Sequence, residues 1–174
     1  MTPTDPSPRP TPPFRIRPAV EEDAEAIANL IRELAIYEKL DRFAKASAED
    51  FRKHLFGARP FAEVLIAEVA DQPVGLALFF HTFSTFRGQP GLYLEDLFVQ
   101  PEHRGQGIGK ALLASLAKIA LDRGCGRLEW AVLDWNQPAI GFYRSFGAGP
   151  LDEWITYRIA DEPLARLAEE APQD

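Results

Sequence analysis

The sequence V-Q-P-E-H-R-G-Q-G-I-G-K at residues 99–110 places three alternating glycines between a strand-like segment and a helix-like one. The preceding segment, residues 92–99, is mostly apolar and is closed by Pro101, which favours a strand that ends there. After the glycines, apolar side chains recur at helical spacing, at Ile108, Leu112, Leu113 and Leu116. The first N–H groups of a helix have no internal partners, and glycine lets the main chain approach a ligand closely. The stretch therefore predicts a strand–loop–helix unit with a phosphate site at the start of the helix.

Two widespread phosphate loops do not fit this spacing. A dinucleotide loop requires G-x-G-x-x-G, whereas Gly105, Gly107 and Gly109 are two residues apart throughout. A nucleoside-triphosphate loop requires G-x-x-x-x-G-K-[ST], but Arg104 occupies the position of its first glycine and Ala111 that of its Ser or Thr. The remaining pattern, R-x-x-G-x-G over residues 104–109, is a loop of another type.

Outward from this loop, strand and helix patterns alternate along the chain. The patterns predict strands at residues 14–17, 61–70, 74–83, 92–99, 128–133 and 154–159. They predict helices around residues 27–34, from Ser47 onward, where Asp50 three residues on gives a capping-box pattern, and at residues 107–123 and 138–146. The short turn at residues 71–73 makes the second and third strands an antiparallel hairpin. This order predicts an α/β chain with a mixed sheet covered by helices.

Composition excludes several classes of protein. The 174 residues are 46% hydrophobic and 26% charged, the ordinary balance of one globular domain. A net charge of −7 disfavours nucleic acid as the main partner, because phosphate binding needs a basic surface. No apolar run approaches the roughly 20 residues that span a bilayer, and the N-terminus lacks a signal-peptide pattern. We therefore expect a protein that binds neither nucleic acid nor a membrane.

Both ends of the chain differ from its body. Residues 1–13 alternate proline with polar residues, which predicts an extended, disordered tail. Residues 161–174 are polar and form a short helix at most, so we expect the domain to occupy residues 14–160. The single cysteine, Cys125, forms no intramolecular disulfide and suits a reducing compartment. We therefore expect a cytoplasmic location.

A second motif, L-D-W-N-Q-P-A-I-G-F-Y-R-S-F-G-A at residues 133–148, follows the glycine loop. The two motifs, in this order, resemble those of the GNAT superfamily of N-acetyltransferases. That resemblance implies the GNAT fold, an α/β or α+β arrangement in which helices flank a mixed, mostly antiparallel sheet. It also implies acetyl-CoA as co-substrate and a homodimer.

Four further stretches are similar to the diamine acetyltransferases, the spermidine/spermine and thialysine group. They are I-R-P-A at residues 16–19, E-L-A-x-Y-E at residues 33–38, L-Y-L-E-D-L-F-V at residues 92–99 and W-N-Q-P at residues 135–138. The turn after Asp71 is shorter than in the animal enzymes, and the segment 149–153 is compact. The resemblance implies direct transfer of acetyl to a small cationic amine in a ternary complex.

The resemblance assigns the cofactor to the end of a strand, the glycine loop and the second motif. The residues concerned are Leu97, Phe98, Val99, Arg104, Gly105, Gln106, Gly107, Ile108, Gly109, Lys110, Asn136, Pro138 and Tyr143. Tyr143 also matches the family's general acid, which protonates the departing thiolate.

The amine must lose a proton before it attacks the thioester, because an alkylammonium has a pKa near 10.4. Glu95 matches the diamine enzymes as the proton acceptor, and Asp96 is its alternate. Neighbouring strand residues alternate, so one of the two points to the other side of the sheet. Tyr37, Glu38, Glu95 and Asp152 would together form an acidic, partly aromatic lining for a cation.

Two alternatives remain open from the sequence. The same chemistry fits another amine, such as a protein N-terminus, an aminoglycoside or an amino acid. A non-catalytic acyl-CoA-binding module is the alternative of another class, although it would need neither Glu95 nor Tyr143. We expect no metal site, because His54, His81 and His103 do not have ligand spacing.

Overall fold

A five-stranded sheet with the order β1-β2-β3-β4-β5 forms the core of the computed structural model, which describes residues 13–172. Its strands are β1 (Arg15–Pro18), β2 (Glu63–Val69), β3 (Gln72–Ser84), β4 (Gln89–Val99) and β5 (Leu128–Trp130). The first four pair antiparallel in sequence order, and β5 pairs parallel with β4. The prediction of a mixed, mostly antiparallel sheet is therefore confirmed.

Five α-helices accompany the strands within residues 13–172. They are α1 (Ala24–Tyr37), α2 (Ala48–Phe51), which continues as a π-helical turn (Arg52–Phe56), α3 (Ile108–Asp122), α4 (Gln137–Arg144) and α5 (Asp161–Glu169). Ser47 and Asp50 form the predicted capping box at the start of α2, with the Ser47 Oγ accepting from the Asp50 N–H at 3.3 Å. No helix within residues 13–172 is long and apolar enough to cross a membrane.

The chain divides into two compact units, one ending at Ala131 and the other beginning at Val132. In the first unit, α1 packs on one face of the sheet through Ile27, Leu30 and Leu34, against Ile66, Leu76, Leu78 and Phe98. The other face carries α3, and the Arg123 guanidinium just beyond it lies 5.9 Å from the Phe79 ring. The second unit contains α4 and α5.

A buried ion cluster fixes the start of α1. Glu68 accepts hydrogen bonds from Arg15 and Arg17, and Arg17 also donates to both oxygens of Asp23. The guanidinium groups hold the pKa of Glu68 and of Asp23 below the ordinary values. Because Asp23 directly precedes α1, the cluster ties the helix to β1 and β2.

Three predictions differ from the structure. The turn between β2 and β3 consists of Ala70 and Asp71, both with positive φ, so Gln72 and Pro73 already belong to β3. The predicted strand 128–133 is only three residues long. Residues 154–159 form no strand in the described chain and are all exposed, because apolar alternation makes a strand only where a neighbour completes the hydrogen-bond ladder.

The predicted tail 1–13 lies outside the described residues except for Pro13. The polar C-terminal segment contains α5, as the sequence allowed, and residues 173–174 are again outside the described range.

Candidate active site

The glycine loop joins β4 to α3 through a short turn at Pro101–His103. Gly105 and Gly107 have φ of +76° and +86°, a left-handed conformation that favours glycine over any other residue. Gly107 is the N-cap of α3, and glycine has no side chain with which to cap a helix. No N-cap side chain therefore occupies the first N–H groups of α3, and these groups can donate hydrogen bonds to an anion.

Space is open in front of these glycines. A Cβ placed on Gly105 or on Gly107 would meet no heavy atom of the described chain within 4 Å. Their positive φ values, rather than close packing, therefore account for the glycines, and the space directly beside the main chain is open. This arrangement fits the diphosphate of a nucleotide-bearing co-substrate.

The strand that leads into this loop has one edge partly open. β3 pairs with β4 as far as Val99, but β5 pairs only with Leu92, Tyr93 and Leu94. From Glu95 to Val99 the second edge of β4 is not covered by β5. Main-chain groups of a strand edge bind extended, amide-containing ligands by adding hydrogen bonds to the sheet.

A β-bulge changes the direction of the side chains on β4. Leu78 lies opposite Asp96, but the next residue, Phe79, lies opposite Leu94, so Glu95 is the extra residue. Cross-strand partners share a face, which puts Asp96 on the face of Leu78 and α1. Glu95 is exposed and Asp96 is half-buried.

Carboxyl groups from β4 and the end of α1 influence one another. Burial, with the neighbouring charges of Glu95 and Glu38, raises the pKa of Asp96 to about 6. Burial also raises the pKa of Glu38, which follows the last residue of α1. The sequence analysis named Glu95 as the proton acceptor and Asp96 as its alternate. It did not predict the bulge that places the two side chains differently, because a bulge has no local signal in the sequence.

Arg104 faces back toward α1. Its Nε donates to the Val99 carbonyl oxygen at 2.9 Å, and its Cζ lies 4.7 Å from the centre of the Tyr37 ring and 5.7 Å from that of Phe98. The structure thus brings the predicted cofactor residue Arg104 onto the predicted amine-binding residue Tyr37, a contact that the sequence did not reveal.

The second unit carries the remaining predicted residues. Asn136 is buried and is the N-cap of α4, where its side-chain oxygen accepts from the Ala139 N–H at 3.3 Å. Pro138 lies in the first turn of this helix, a position that suits proline. Tyr143 lies on α4 with its ring 5.4 Å from that of Phe142, and Asp152 is exposed beyond the helix.

Comparison with known proteins agrees with this geometry. The chain belongs to the acetyltransferase (GNAT) family, whose model matches residues 25–148. It is an N-acetyltransferase, and this family takes acetyl-CoA as co-substrate.

Individual relatives are similar over most of their length. A thialysine N-epsilon-acetyltransferase of Bos taurus is 43% identical, over 88% of this chain and 96% of its own. An L-ornithine N5-acetyltransferase of Arabidopsis thaliana is 30% identical, over 88% of this chain and 87% of its own. Among solved structures, an integron cassette protein from the mobile metagenome of V. cholerae is 29% identical with a TM-score of 0.77, over 90% of this chain and 98% of its own.

Substitution of Gly107 tests the loop as the diphosphate site. Gly107→Val places a side chain in the open space and strains a φ of +86°, so we expect acetyl-CoA to bind at least about tenfold more weakly. Calorimetric titration of both proteins measures this. Gly124→Val is the matched control, because Gly124 follows the other end of α3 with φ of +70° and has the same open surroundings. Equal loss in both variants, or none in Gly107→Val, would remove the loop from the site.

Proposed function

We propose that the chain transfers acetyl from acetyl-CoA to an amine that carries a second positive charge, such as a diamine, a polyamine or a thialysine-like amino acid. The observation that carries this proposal is the group of carboxyls formed by Glu38, Glu95 and Asp96, two of them with pKa values raised by burial. Two relatives whose names state the acceptors thialysine and ornithine support it.

A cation relieves the unfavourable electrostatics of this group. Three nearby carboxylates repel one another, and that repulsion favours protonation of Asp96. An ammonium group that enters the site pairs with these charges, and each charge-assisted hydrogen bond contributes about 1.5–3 kcal/mol. The site therefore favours a substrate with one ammonium to hold and one amino group to acetylate.

The proton acceptor in this proposal is Glu95. Glu95 is exposed to water, whereas Asp96 is half-buried and its pKa of about 6 keeps it protonated below that pH. Asp96, with Glu38 from α1 near it, then serves mainly to bind the ammonium group. The alternate assignment, with Asp96 as the acceptor, predicts a different outcome for the same pair of variants.

Glu95→Gln and Asp96→Asn distinguish the two assignments. We expect Glu95→Gln to lower kcat by about 10²–10⁴-fold and Asp96→Asn to raise KM for the amine. As pH falls through about 6, Asp96 gains a proton and loses the charge that binds the cation, so kcat/KM of the wild type falls. Asp96→Asn should lack this acidic limb. The reverse pattern of kcat losses would assign proton acceptance to Asp96.

Tyr143 is the proposed general acid, and Tyr143→Phe removes only its hydroxyl. We expect kcat to fall about 10²–10⁴-fold, the usual range for one acid–base group, with unchanged affinity for acetyl-CoA. Steady-state kinetics and calorimetry measure the two quantities. Tyr93→Phe is the control, because Tyr93 belongs to neither the proposed site nor the proposed dimer surface and its ring packs 5.3 Å from that of Phe80. A kcat within about threefold of wild type would return Tyr143 to a packing role.

A panel of amines tests the substrate class. We expect kcat/KM for spermidine and thialysine to exceed that for a length-matched monoamine, with an advantage that shrinks as salt rises. Glu38→Gln should raise KM for the dication more than for the monoamine. Asp122→Asn, which changes an exposed carboxylate at the end of α3, should do neither. If kcat/KM for the monoamine equals that for the best dication, the proposed substrate class is wrong. The chain would then be an N-acetyltransferase of another acceptor amine.

We propose a homodimer, supported by apolar side chains in the second unit. Trp154, Ile155 and Tyr157 are 73%, 78% and 89% exposed, which is unusual for such large groups in a monomer. Light scattering should give twice the chain mass of 19.4 kDa, and Ile155→Lys should shift it to the monomer. Leu121→Lys, at an equally exposed residue of α3, is the control. A wild-type monomer would contradict the proposal.

We also propose that the enzyme works in the cytoplasm. Cys125 is a buried free thiol, as expected for a protein from a reducing compartment. Cell fractionation with an antibody to the chain tests this location, and recovery in a secreted fraction would contradict it.

A further inference from the structure

The Arg104 side chain contacts one main-chain carbonyl and two aromatic rings. Its Nε donates to the Val99 carbonyl, and its guanidinium lies over the rings of Tyr37 and Phe98. Within residues 13–172 it forms no ion pair with a carboxylate. The charge is therefore oriented but not neutralised, as suits a group that meets an anion.

Helix α1 supplies one of these contacts through Tyr37, and it also contacts Gln100 just before the loop. Glu33 and Tyr37 are one turn apart on α1 and so share a face. Both oxygens of Glu33 accept from the Gln100 Nε2 at 3.1 Å, and the Tyr37 ring faces Arg104 at 4.7 Å. The two ends of the segment from Gln100 to Arg104 are thus each held by α1.

The helix that contacts Arg104 is itself anchored in the core. Leu30 and Leu34, on the same helix, are buried in the core against the sheet, and Tyr37 packs against that cluster. Gln100 is tied to the sheet as well, since its N–H donates to the Val74 carbonyl at 2.9 Å. A flexible arginine would lose rotamer freedom on binding a diphosphate, and an arginine already held loses less.

We infer that Tyr37 is a positioning residue for acetyl-CoA binding, because its ring holds the Arg104 guanidinium at the start of the loop where the diphosphate is proposed to bind. This inference rests on the proposed role of residues 104–110 as the diphosphate site. It gives Tyr37 a function distinct from lining the amine site. It also makes the end of α1, where Tyr37 is followed by Glu38, a shared support for both substrates.

Calorimetric titration with acetyl-CoA alone tests the inference, because without an amine no effect can come from lost acceptor contacts. Tyr37→Leu removes the aromatic face, so we expect affinity to fall roughly three- to tenfold. Tyr37→Phe keeps the face and should bind within about twofold of wild type. Wild-type affinity in Tyr37→Leu, with only KM for the amine raised, would overturn the inference.

The matched control is Phe43→Leu. Arg42 lies over the Phe43 ring at 4.7 Å, the same distance as Arg104 over Tyr37, on an exposed segment after α1. Phe43→Leu therefore removes an equivalent contact that does not involve the loop, and acetyl-CoA affinity should not change. An equal loss in this variant would show that the effect is not specific to Arg104.

A double-mutant cycle separates positioning from a general structural effect. Arg104→Gln changes an exposed loop residue, and in that background Tyr37→Leu should cause no further loss of affinity. Additive losses would overturn the inference. If Tyr37→Leu lowers the melting temperature, Tyr37→Met serves as a second variant, because methionine fills irregular gaps in a core.

Failure of this inference is distinguishable from failure of the proposed diphosphate site. If Gly107→Val weakens acetyl-CoA binding but Tyr37→Leu does not, the loop binds the co-substrate without help from α1. If Gly107→Val has no effect, the loop itself is not the site, whatever Tyr37 does.

Discussion

The pairing of β4 is the constraint on which the rest of the active site depends. Both edges of this strand are paired from Leu92 to Leu94, and beyond Leu94 β5 no longer pairs with it. The bulge at Glu95 falls at this transition, so the strand changes its side-chain direction where its second edge opens. In the proposed function, this one strand offers carboxyl groups to the amine and main-chain groups to the acyl carrier.

Electrostatics divides the site into two halves of opposite sign. Glu38, Glu95 and Asp96 concentrate negative charge near the bulge, and the N-terminus of α3 with Arg104 provides the positive end. In the proposed function, these charges attract a cationic amine and an anionic co-substrate to different parts of the site. The Tyr37–Arg104 contact links the two halves, since it joins the end of α1 to the loop.

Local signals in the sequence predicted much of this arrangement. The glycine spacing located the loop and α3, the Ser47–Asp50 pattern located α2, and apolar alternation located β2 and β3. The bulge at Glu95, the short length of β5 and the Tyr37–Arg104 contact were not predicted, because each depends on residues far apart in the chain. The prediction of a strand at residues 154–159 was wrong for the same reason, since apolar alternation cannot show whether a neighbouring strand exists.

Hydrogen exchange with and without coenzyme A tests the central claim most directly, namely that the co-substrate lies along the open edge of β4 and on the start of α3. The account predicts slower exchange on binding in residues 95–99 and 105–110, since amides there gain hydrogen-bond partners. Residues 75–78 of β3, which pair with both β2 and β4, should exchange as before. Slower exchange confined to other parts of the chain, with residues 95–110 unchanged, would contradict the account.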